Sequence, residues 1–447
     1  MTGKLSERGV ARVEPRLDTD KAGLRVRCMA CGRETVADRP VVACPACGGL
    51  LDAVVPLDRP LTGDAFMRTS HGPGVDSGVW RYRALLPPIP DEDVVTRGEG
   101  NTPLYWDSRL AEFAGLGAGC FGVKHEGHNP TGSFKDRGMT VAISHAKTVG
   151  ARIVACASTG NTSASLASYA AAADLPALVL IPAGRISGGK LGQTIAYGAT
   201  VVQIDGDFDA ALALLRTVAD RYDVYLANSV NPFRLEGQKT IVFELLEQLG
   251  WQAPDVIALP GGNLGNTAAF GKALAELYEV GLIDRLPQVA TIQAAGAAPF
   301  AAYYASGFDH YAPVMAETVA TAIKIGDPAS VDRARRSIEH TSGLVTAVTD
   351  AEILEAKAHI DRAGIGCEPA SAASLAGVRK LVAEGSIAPD ATVVGVLTGH
   401  VLKDVDAVVA YHLHDGDDGL RSGANRPVTI PATVDALAKV LGDALHR

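Results

Sequence analysis

The feature that most constrains the fold is a regular alternation of short apolar runs with Ala- and Leu-rich stretches from about residue 150 onward. β-Branched runs such as ARIVACAS, PALVLIPA and PDVIALPG predict buried strands, and longer stretches such as DFDAALALLRTVADRY predict helices. Strands without polar alternation are typical of parallel sheets that helices cover on both faces. The sequence therefore predicts an α/β fold with open, mostly parallel sheets, and 447 residues are enough for two or three domains.

The charge pattern excludes several classes of partner. The formal net charge is −9, and acidic and basic residues are mixed along the chain instead of forming blocks. A protein that binds nucleic acid or an anionic membrane needs a basic face, so we expect neither partner. The first residues, MTGKLSERGVARVEP, lack the apolar centre of a signal peptide. We therefore expect a cytoplasmic protein that acts on a small molecule.

Four of the seven cysteines form two CxxC pairs near the N-terminus, CMAC and CPACGG, with twelve residues between them. Each pair presents two thiolates from one tight turn, and two such turns complete a tetrahedral zinc site. The predicted ligands are Cys28, Cys31, Cys44 and Cys47. A closed site of four cysteines is structural, so residues 1–60 are predicted to form a zinc-ribbon-like extension. The alternative is a ribbon that has lost its metal.

Four polar clusters lie at or near the ends of predicted strands. They are NPTGSFKDRG (129–138), STGNTSAS (158–165), PGGNLGNT (260–267) and LTGH (397–400). Ligands of open α/β folds bind outside the carboxyl ends of the strands, so the shared placement predicts a single site.

Two of these clusters have specific chemical interpretations. The glycines of PGGNLGNT suit a cradle for one phosphate group, because backbone N–H groups there can point at the same anion; a structural turn is the alternative. Lys135 is either a solvated lysine, half of an ion pair with Asp136, or a partly buried amine that reacts with aldehydes. A reactive lysine beside a cradle for a monophosphate is the pairing expected for pyridoxal phosphate.

The motifs carry a family resemblance. HNPTGSFKDRG, STGNTSAS, NSVNPFRLEGQKT, TAIKIGDPAS, EPASAAS and LTGHVLKD stand in the order found in threonine synthases, which are pyridoxal-phosphate enzymes of the tryptophan synthase β fold, known as fold type II. The resemblance covers residues 98–404, roughly two thirds of the chain. It implies a two-lobed lyase with a large lobe from 61–130 and 235–447 and a small lobe from 131–234.

The resemblance also implies how pyridoxal phosphate is held. Lys135 would form the Schiff base with the cofactor and shuttle protons, Phe134 would pack against the ring, and Asn161 would bond its 3′ oxygen. The phosphate loop would comprise Gly261, Gly262, Asn263, Gly265 and Asn266, with Thr398 facing the pyridine nitrogen. This loop has the sequence GGNLGN, whereas many family members have a loop similar to GNAGN.

The substrate residues follow from the same resemblance. Ser158, Thr159 and Thr162 would bind the α-carboxylate, and Asn228, Ser229 and Arg234 would bind a phosphate carried by the substrate. The guanidinium fork of Arg234 fits a phosphate dianion. The implied reaction converts O-phospho-L-homoserine and water to L-threonine and phosphate by γ-elimination and β-addition. The resemblance also implies a homodimer.

Two alternatives remain at the level of sequence. One is a related enzyme, such as a cysteate synthase that uses O-phosphoserine, or a threonine or serine dehydratase. The other is a binding protein in which the ribbon recruits nucleic acid or protein and the body is inactive. The negative charge and the presence of Lys135 count against this second alternative.

Overall fold

The structure is a computed structural model, and it describes residues 23–57, 60–66, 77–183, 188–206, 208–222, 224–413 and 424–445. The described residues up to Asp404 form one compact unit, and those from Val405 form a second. Within the described residues, none of the helices combines the length and apolar character that crossing a membrane requires.

The strands are short, as expected of an α/β protein. In chain order they are β1 (Arg25–Cys28), β2 (Glu34–Val36), β3 (Leu51–Val54), β4 (Leu104–Trp106), β5 (Phe121–His125), β6 (Val154–Ala157), β7 (Ala177–Pro182), β8 (Thr200–Ile204), β9 (Tyr225–Leu226), β10 (Val256–Pro260), β11 (Gln288–Ala294), β12 (Leu344–Val348) and β13 (Val393–Leu397).

The helices lie between and after the strands. In chain order they are α1 (Ser108–Ala114), α2 (Lys135–Thr148), α3 (Asn161–Ala172), α4 (Gly188–Ala196), α5 (Phe208–Tyr222), α6 (Pro232–Gln248), α7 (Gly265–Glu279), α8 (Pro299–Ala305), α9 (Val331–His340), α10 (Asp350–Arg362), α11 (Pro369–Ala383), α12 (Val405–Leu413) and α13 (Val434–Leu445). The last two belong to the second unit. Short 3₁₀ turns include Glu126–His128 and Thr321–Ile323.

Three sheets organise the first unit. A small antiparallel sheet has the strand order β2-β1-β3, a six-stranded sheet has the order β12-β11-β10-β13-β5-β4, and a four-stranded sheet has the order β8-β7-β6-β9. Every pairing in the four-stranded sheet is parallel. In the six-stranded sheet only β4 pairs antiparallel, with β5. The predicted α/β fold with open, mostly parallel sheets is confirmed.

Helices cover both faces of the six-stranded sheet. Ile257 and Leu259 of β10 pack in a cluster with α6 and α7. Val256 and Ala258, which alternate with them, pack in a cluster with α1, α10 and α11. Successive side chains of a strand point to opposite faces, so both faces of β10 are buried. This double burial explains why the strand sequence is continuously apolar.

The parallel strands of the six-stranded sheet bring three of the four polar clusters to one edge. β5, β13 and β10 are adjacent and parallel, so their carboxyl ends lie side by side. The loop to Lys135 follows β5, Thr398 follows β13, and Gly261 follows β10. Strand order, and not distance along the chain, therefore assembles the candidate site.

Candidate active site

Lys135 is the first residue of α2 and follows a tightly bonded turn. Thr131 donates from its backbone N–H and its hydroxyl to the carboxylate of Asp136, at 2.6 and 2.7 Å. The backbone N–H of Phe134 donates to the carbonyl of Thr398 at 3.0 Å. These bonds fasten the turn to the end of β13 and fix where Lys135 enters the site.

Lys135 is half-buried and lies near both Arg234 and Glu368. Burial, together with the positive charge of Arg234, lowers the pKa of its ammonium to about 7, while the charge of Glu368 opposes the change. Its Nζ lies 4.1 Å from the centroid of the Phe134 ring. The Asp136 carboxylate accepts instead from Thr131 and, at 2.6 Å, from Ser165. A large neutral fraction at neutral pH makes Lys135 nucleophilic toward aldehydes, which argues against an ordinary surface lysine or ion pair.

The glycine loop, the predicted phosphate cradle, has no room for side chains at its first two glycines. A Cβ at Gly261 would lie 2.7 Å from Cγ2 of Thr291, and one at Gly262 would lie 3.2 Å from the carbonyl oxygen of Ala322. Leu264 has a φ of +61°, in the left-handed region. This conformation turns the chain directly into α7, whose first N–H groups have no partner within the helix. The cradle therefore fits an anion such as the phosphate of pyridoxal phosphate.

Buried polar side chains near the cradle have hydrogen-bonding atoms that are unused. The buried Oδ1 of Asn266, Oγ of Ser330 and Oε1 of Gln238 have no hydrogen-bond partner among the described residues. Gln238 lies between the cradle and the lysine helix: Cβ atoms at Gly265 and Gly138 would lie 3.4 and 3.0 Å from its two terminal amide atoms. Asn263 has a different contact, since its Oδ1 accepts from the backbone N–H of Ala329 at 3.3 Å.

Asn161 and Thr398 meet on a buried carboxylate. The amide nitrogen of Asn161 donates to Oε2 of Glu368 at 3.0 Å, and the hydroxyl of Thr398 donates to Oε1 at 3.3 Å. Glu368 is 4% exposed, and burial raises the pKa of its carboxyl. A Cβ at Gly399 would lie 2.4 Å from its Cδ, so the glycine makes room for this carboxylate.

Sequence reasoning quoted EPASAAS but assigned no role to its glutamate. The available signal was a charged residue directly before the proline that opens an Ala-rich helix. Only the contacts with Asn161 and Thr398 make Glu368 a site residue.

Arg234 is a buried cation with unused donors. It is 1% exposed, and its Nη1 donates to the carbonyl of Ala227 at 3.0 Å. Its Nε and Nη2 have no partner among the described residues. Burial lowers the pKa of the guanidinium to about 10. An unpaired buried cation is unfavourable, so the two free donors indicate an anion site beside Lys135.

The other predicted substrate residues have mixed placements. The amide of Asn228 is occupied: it accepts from the backbone N–H of Ala157 at 3.0 Å and donates to the carbonyl of Ala157 at 2.9 Å. Ser229 is half-buried in the same turn. Ser158, Thr159 and Thr162 are half-buried where β6 turns into α3. Asn228 therefore holds the strand end that leads to these residues.

A buried ionic network supports the helix that begins with Lys135. Arg137 donates to Glu126 at 2.7 Å and to Glu244 at 2.8 Å, and Lys124 donates to Glu244 at 2.6 Å. All four side chains are fully buried. The network joins α2 to β5 and to α6, which carries Arg234, and sequence reasoning did not predict it.

The four N-terminal cysteines lie together. Their sulfur atoms all lie within 4.8 Å of one another, with Cys28 and Cys47 at 3.5 Å and Cys31 and Cys44 at 3.8 Å. All four are free of disulfides. Four thiolates at about 2.3 Å from a tetrahedral zinc ion would be about 3.8 Å apart, so the observed spacing fits such an ion.

Comparison with known proteins agrees with this geometry. Residues 95–399 match the family described as "Pyridoxal-phosphate dependent enzyme". A threonine synthase of Methanosarcina acetivorans is 44% identical over 418 residues, which are 93% of this chain and 98% of the relative. A threonine synthase of Synechocystis is 50% identical over 329 residues, which are 73% of this chain and 83% of the relative.

A solved structure shows the same fold. The crystal structure of threonine synthase from Escherichia coli superposes with a TM-score of 0.67 at 20% identity. The superposition covers 94% of this chain and all of the other.

Proposed function

Because this chain belongs to the pyridoxal-phosphate dependent enzymes and, among them, to the threonine synthases, we propose that it converts O-phospho-L-homoserine and water to L-threonine and phosphate. It is then a lyase that acts on a carbon–oxygen bond to phosphate. One observation supports the substrate assignment. Nε and Nη2 of Arg234 are buried donors without a partner among the described residues, and the charge of this guanidinium lowers the pKa of the nearby Lys135. A reactive amine beside a guanidinium with unused donors suits a substrate that is an amino acid carrying a phosphate group.

The cofactor site follows from the cradle and its neighbours. Pyridoxal phosphate, when bound, supplies an electron sink for the bonds around the substrate Cα. Gly261, Gly262, Asn263, Gly265 and Asn266 would hold its phosphate, because this loop leads into the first turn of α7, whose N–H groups have no partner within the helix. Phe134 would pack against the ring, Asn161 would bond its 3′ oxygen, and Thr398 would face the pyridine nitrogen.

Lys135 would hold the cofactor through its Nζ. With the substrate in place, the neutral Nζ would take and later return the proton at Cα and would move a proton from Cβ to Cγ. The C–O bond at Cγ breaks as phosphate leaves, and water supplies the hydroxyl at Cβ and the proton that the phosphate takes. A pKa near 7 suits both directions of proton transfer at neutral pH.

The substrate would be held at both of its charged ends. Ser158, Thr159 and Thr162, at the start of α3, would bind the α-carboxylate, since the N-terminal end of a helix favours an anion. Nε and Nη2 of Arg234 would bind the phosphate, with Ser229 beside them. Asn228 would act by fixing the end of β6, because its amide is already bonded to Ala157.

The remaining features belong to the same proposal. We propose a structural zinc ion on Cys28, Cys31, Cys44 and Cys47, a homodimer, and a cytoplasmic location. The division into a ribbon (1–60), a large lobe (61–130 and 235–447) and a small lobe (131–234) is also proposed, with lobe closure excluding water from the site. Support comes from the spacing of the four sulfur atoms, the mixed charges of the chain, and the prevalence of two-fold assemblies.

The deciding experiment mixes purified holoenzyme with O-phosphohomoserine and measures inorganic phosphate and threonine. Equal amounts of both products are expected, and Lys135→Ala is expected to produce neither. O-Phosphoserine, with and without sulfite, and threonine are tested in parallel. Turnover of one of these compounds with none of O-phosphohomoserine would replace the proposal with the related cysteate synthase or dehydratase activity.

The metal is tested by elemental analysis of the purified protein. One zinc per chain is expected, and Cys31→Ser should lose it. Cys120→Ser is the matched control, because Cys120 is a free, half-buried cysteine outside the cluster. If the wild-type chain binds no zinc after refolding with the metal, the proposal of a structural zinc ion is wrong, and the ribbon is stabilised by its small core alone.

A further inference from the structure

The N-terminal ribbon, defined here as residues 23–57, shares its hydrophobic core with the helices that carry Lys135 and Arg234. One buried cluster contains Cys28 and Cys44 of the ribbon together with Val141 of α2 and Phe233 of α6. Phe233 directly precedes Arg234 in the chain. Packing of the ribbon therefore reaches the first turn of the helix that holds the guanidinium.

His145 links the ribbon to this turn by a second route. Its ring stacks on Phe233, with the ring centroids 3.5 Å apart and the planes inclined by 13°. Its Nε2 lies 3.2 Å from the carbonyl oxygen of Ala37 in the ribbon, and its Nδ1 lies 2.9 Å from the hydroxyl of Tyr225.

The protonation of His145 follows from these contacts. A carbonyl oxygen can only accept, so Nε2 carries a proton. Burial lowers the pKa of His145 to about 3, so the ring is neutral and Nδ1 accepts from the Tyr225 hydroxyl. Both ring nitrogens are therefore used, one toward the ribbon and one toward β9.

The first turn of α6 is fixed on its other side by β9. Oδ1 of Asn231 accepts from the backbone N–H of Phe233 at 2.9 Å, and its Nδ2 donates to the carbonyl of Leu226 at 2.9 Å. Among the residues that the structure describes, the Arg234 guanidinium has one hydrogen bond, from Nη1 to the carbonyl of Ala227. A guanidinium with one bond takes its orientation from the turn that carries it, so movement of Phe233 moves the two free donors.

We propose that the N-terminal ribbon, acting through His145 and Phe233, positions Arg234 and so sets the affinity for the phosphorylated end of the substrate. His145 is a positioning residue, because it contacts neither Lys135 nor the cradle in the described structure. The inference rests on the proposed role of Arg234 as the phosphate ligand.

The test replaces His145 with Phe, which keeps a ring to stack on Phe233 and removes both polar bonds. We expect KM for O-phosphohomoserine, and the Kd of inorganic phosphate for the holoenzyme, to rise by about tenfold or more. We expect kcat to stay within roughly threefold and the visible absorption of the bound cofactor to be unchanged. If His145 has only a structural role, His145→Phe will lower the midpoint of thermal unfolding without changing the Kd of inorganic phosphate.

Two matched variants control for general loosening. Ile143→Val changes a residue on the same helix as His145 that packs in a different cluster, with Cys156 and Leu166. Arg336→Ala removes a bond between the body and the ribbon at another point, the carbonyl of Met29, at 2.9 Å. Both should keep the wild-type KM and phosphate Kd.

Arg234→Met, measured in parallel, separates the two levels of the inference. If it leaves KM and the phosphate Kd unchanged, the role of Arg234 in the proposed function is wrong. If it weakens both while His145→Phe behaves like Ile143→Val, the positioning role of the ribbon is overturned. Should His145→Phe not fold, Phe233→Leu, which removes the stacked ring and leaves the bonds of His145, is judged by the same criteria.

Discussion

Replacing Arg234 with Met should stabilise the folded protein and at the same time weaken binding of the substrate phosphate. The side chain is 1% exposed, has one hydrogen bond, and leaves Nε and Nη2 without a partner among the described residues. Methionine keeps a flexible apolar stem in the same space and carries no charge. The two effects have opposite signs, so the prediction is difficult to satisfy by accident.

The gain in stability can be worked from the acidity of the guanidinium. Burial lowers its pKa from the ordinary value of 12.5 to about 10. Each tenfold change in acidity is worth about 1.4 kcal/mol, so the charged form is disfavoured by about 3 kcal/mol in the ligand-free fold. At pH 7 the group is charged in both the folded and the unfolded chain, so this penalty is present in full. Loss of the bond to Ala227 costs about 1 kcal/mol, and the free energy of unfolding should rise by about 1–2 kcal/mol.

The loss of function follows from the two unused donors. Hydrogen bonds to a charged group contribute about 1.5–3 kcal/mol each, so losing two should lower kcat/KM by about 10²–10⁴-fold. Urea unfolding, followed by tryptophan fluorescence, measures the stability, and phosphate release measures kcat/KM. Arg234→Lys is the matched control, because it keeps the charge and should give no gain in stability. A methionine variant that is less stable than wild type, or that keeps kcat/KM, would refute the reasoning.

Three further predictions concern Lys135, Glu368 and Glu244. Capture of pyridoxal phosphate by the apoenzyme, followed by absorbance, should accelerate as the pH rises through about 7, because the pKa of Lys135 is lowered to about 7 and only the neutral amine reacts; a midpoint near 10 would contradict the buried environment. Glu368→Gln places an amide N–H against a donor, so the cofactor Kd from equilibrium dialysis should rise by about 5–100-fold, and an unchanged Kd would remove Glu368 from the site. Glu244→Ala leaves two buried cations short of a carboxylate and should cost about 3–5 kcal/mol in urea unfolding, whereas Glu355→Ala, in an exposed pair, should cost under about 1 kcal/mol.

Features that depend on local order could be predicted from the sequence. Continuously apolar strands indicate burial on both faces, and β10 has both faces covered. Glycines directly after a strand indicate a close approach of the backbone, and Gly261 has no room for a side chain. The two CxxC pairs indicate sulfur atoms that meet, and the four sulfurs lie within 4.8 Å of one another. Each of these inferences needs only a spacing of a few residues and the geometry of one turn or strand.

The chemical properties of the site residues depend on the tertiary structure. The lowered pKa of Lys135 depends on burial and on Arg234, which is almost a hundred residues away in the chain. Glu368 contacts Thr398, which follows β13 of the six-stranded sheet, and Asn161, which follows β6 of the four-stranded sheet. Its position therefore depends on how the two sheets meet. Burial and Coulomb interactions are set by neighbours in space, and an arrangement of this kind cannot be deduced from the strands themselves. The sequence therefore indicates the lysine, and the fold makes it reactive.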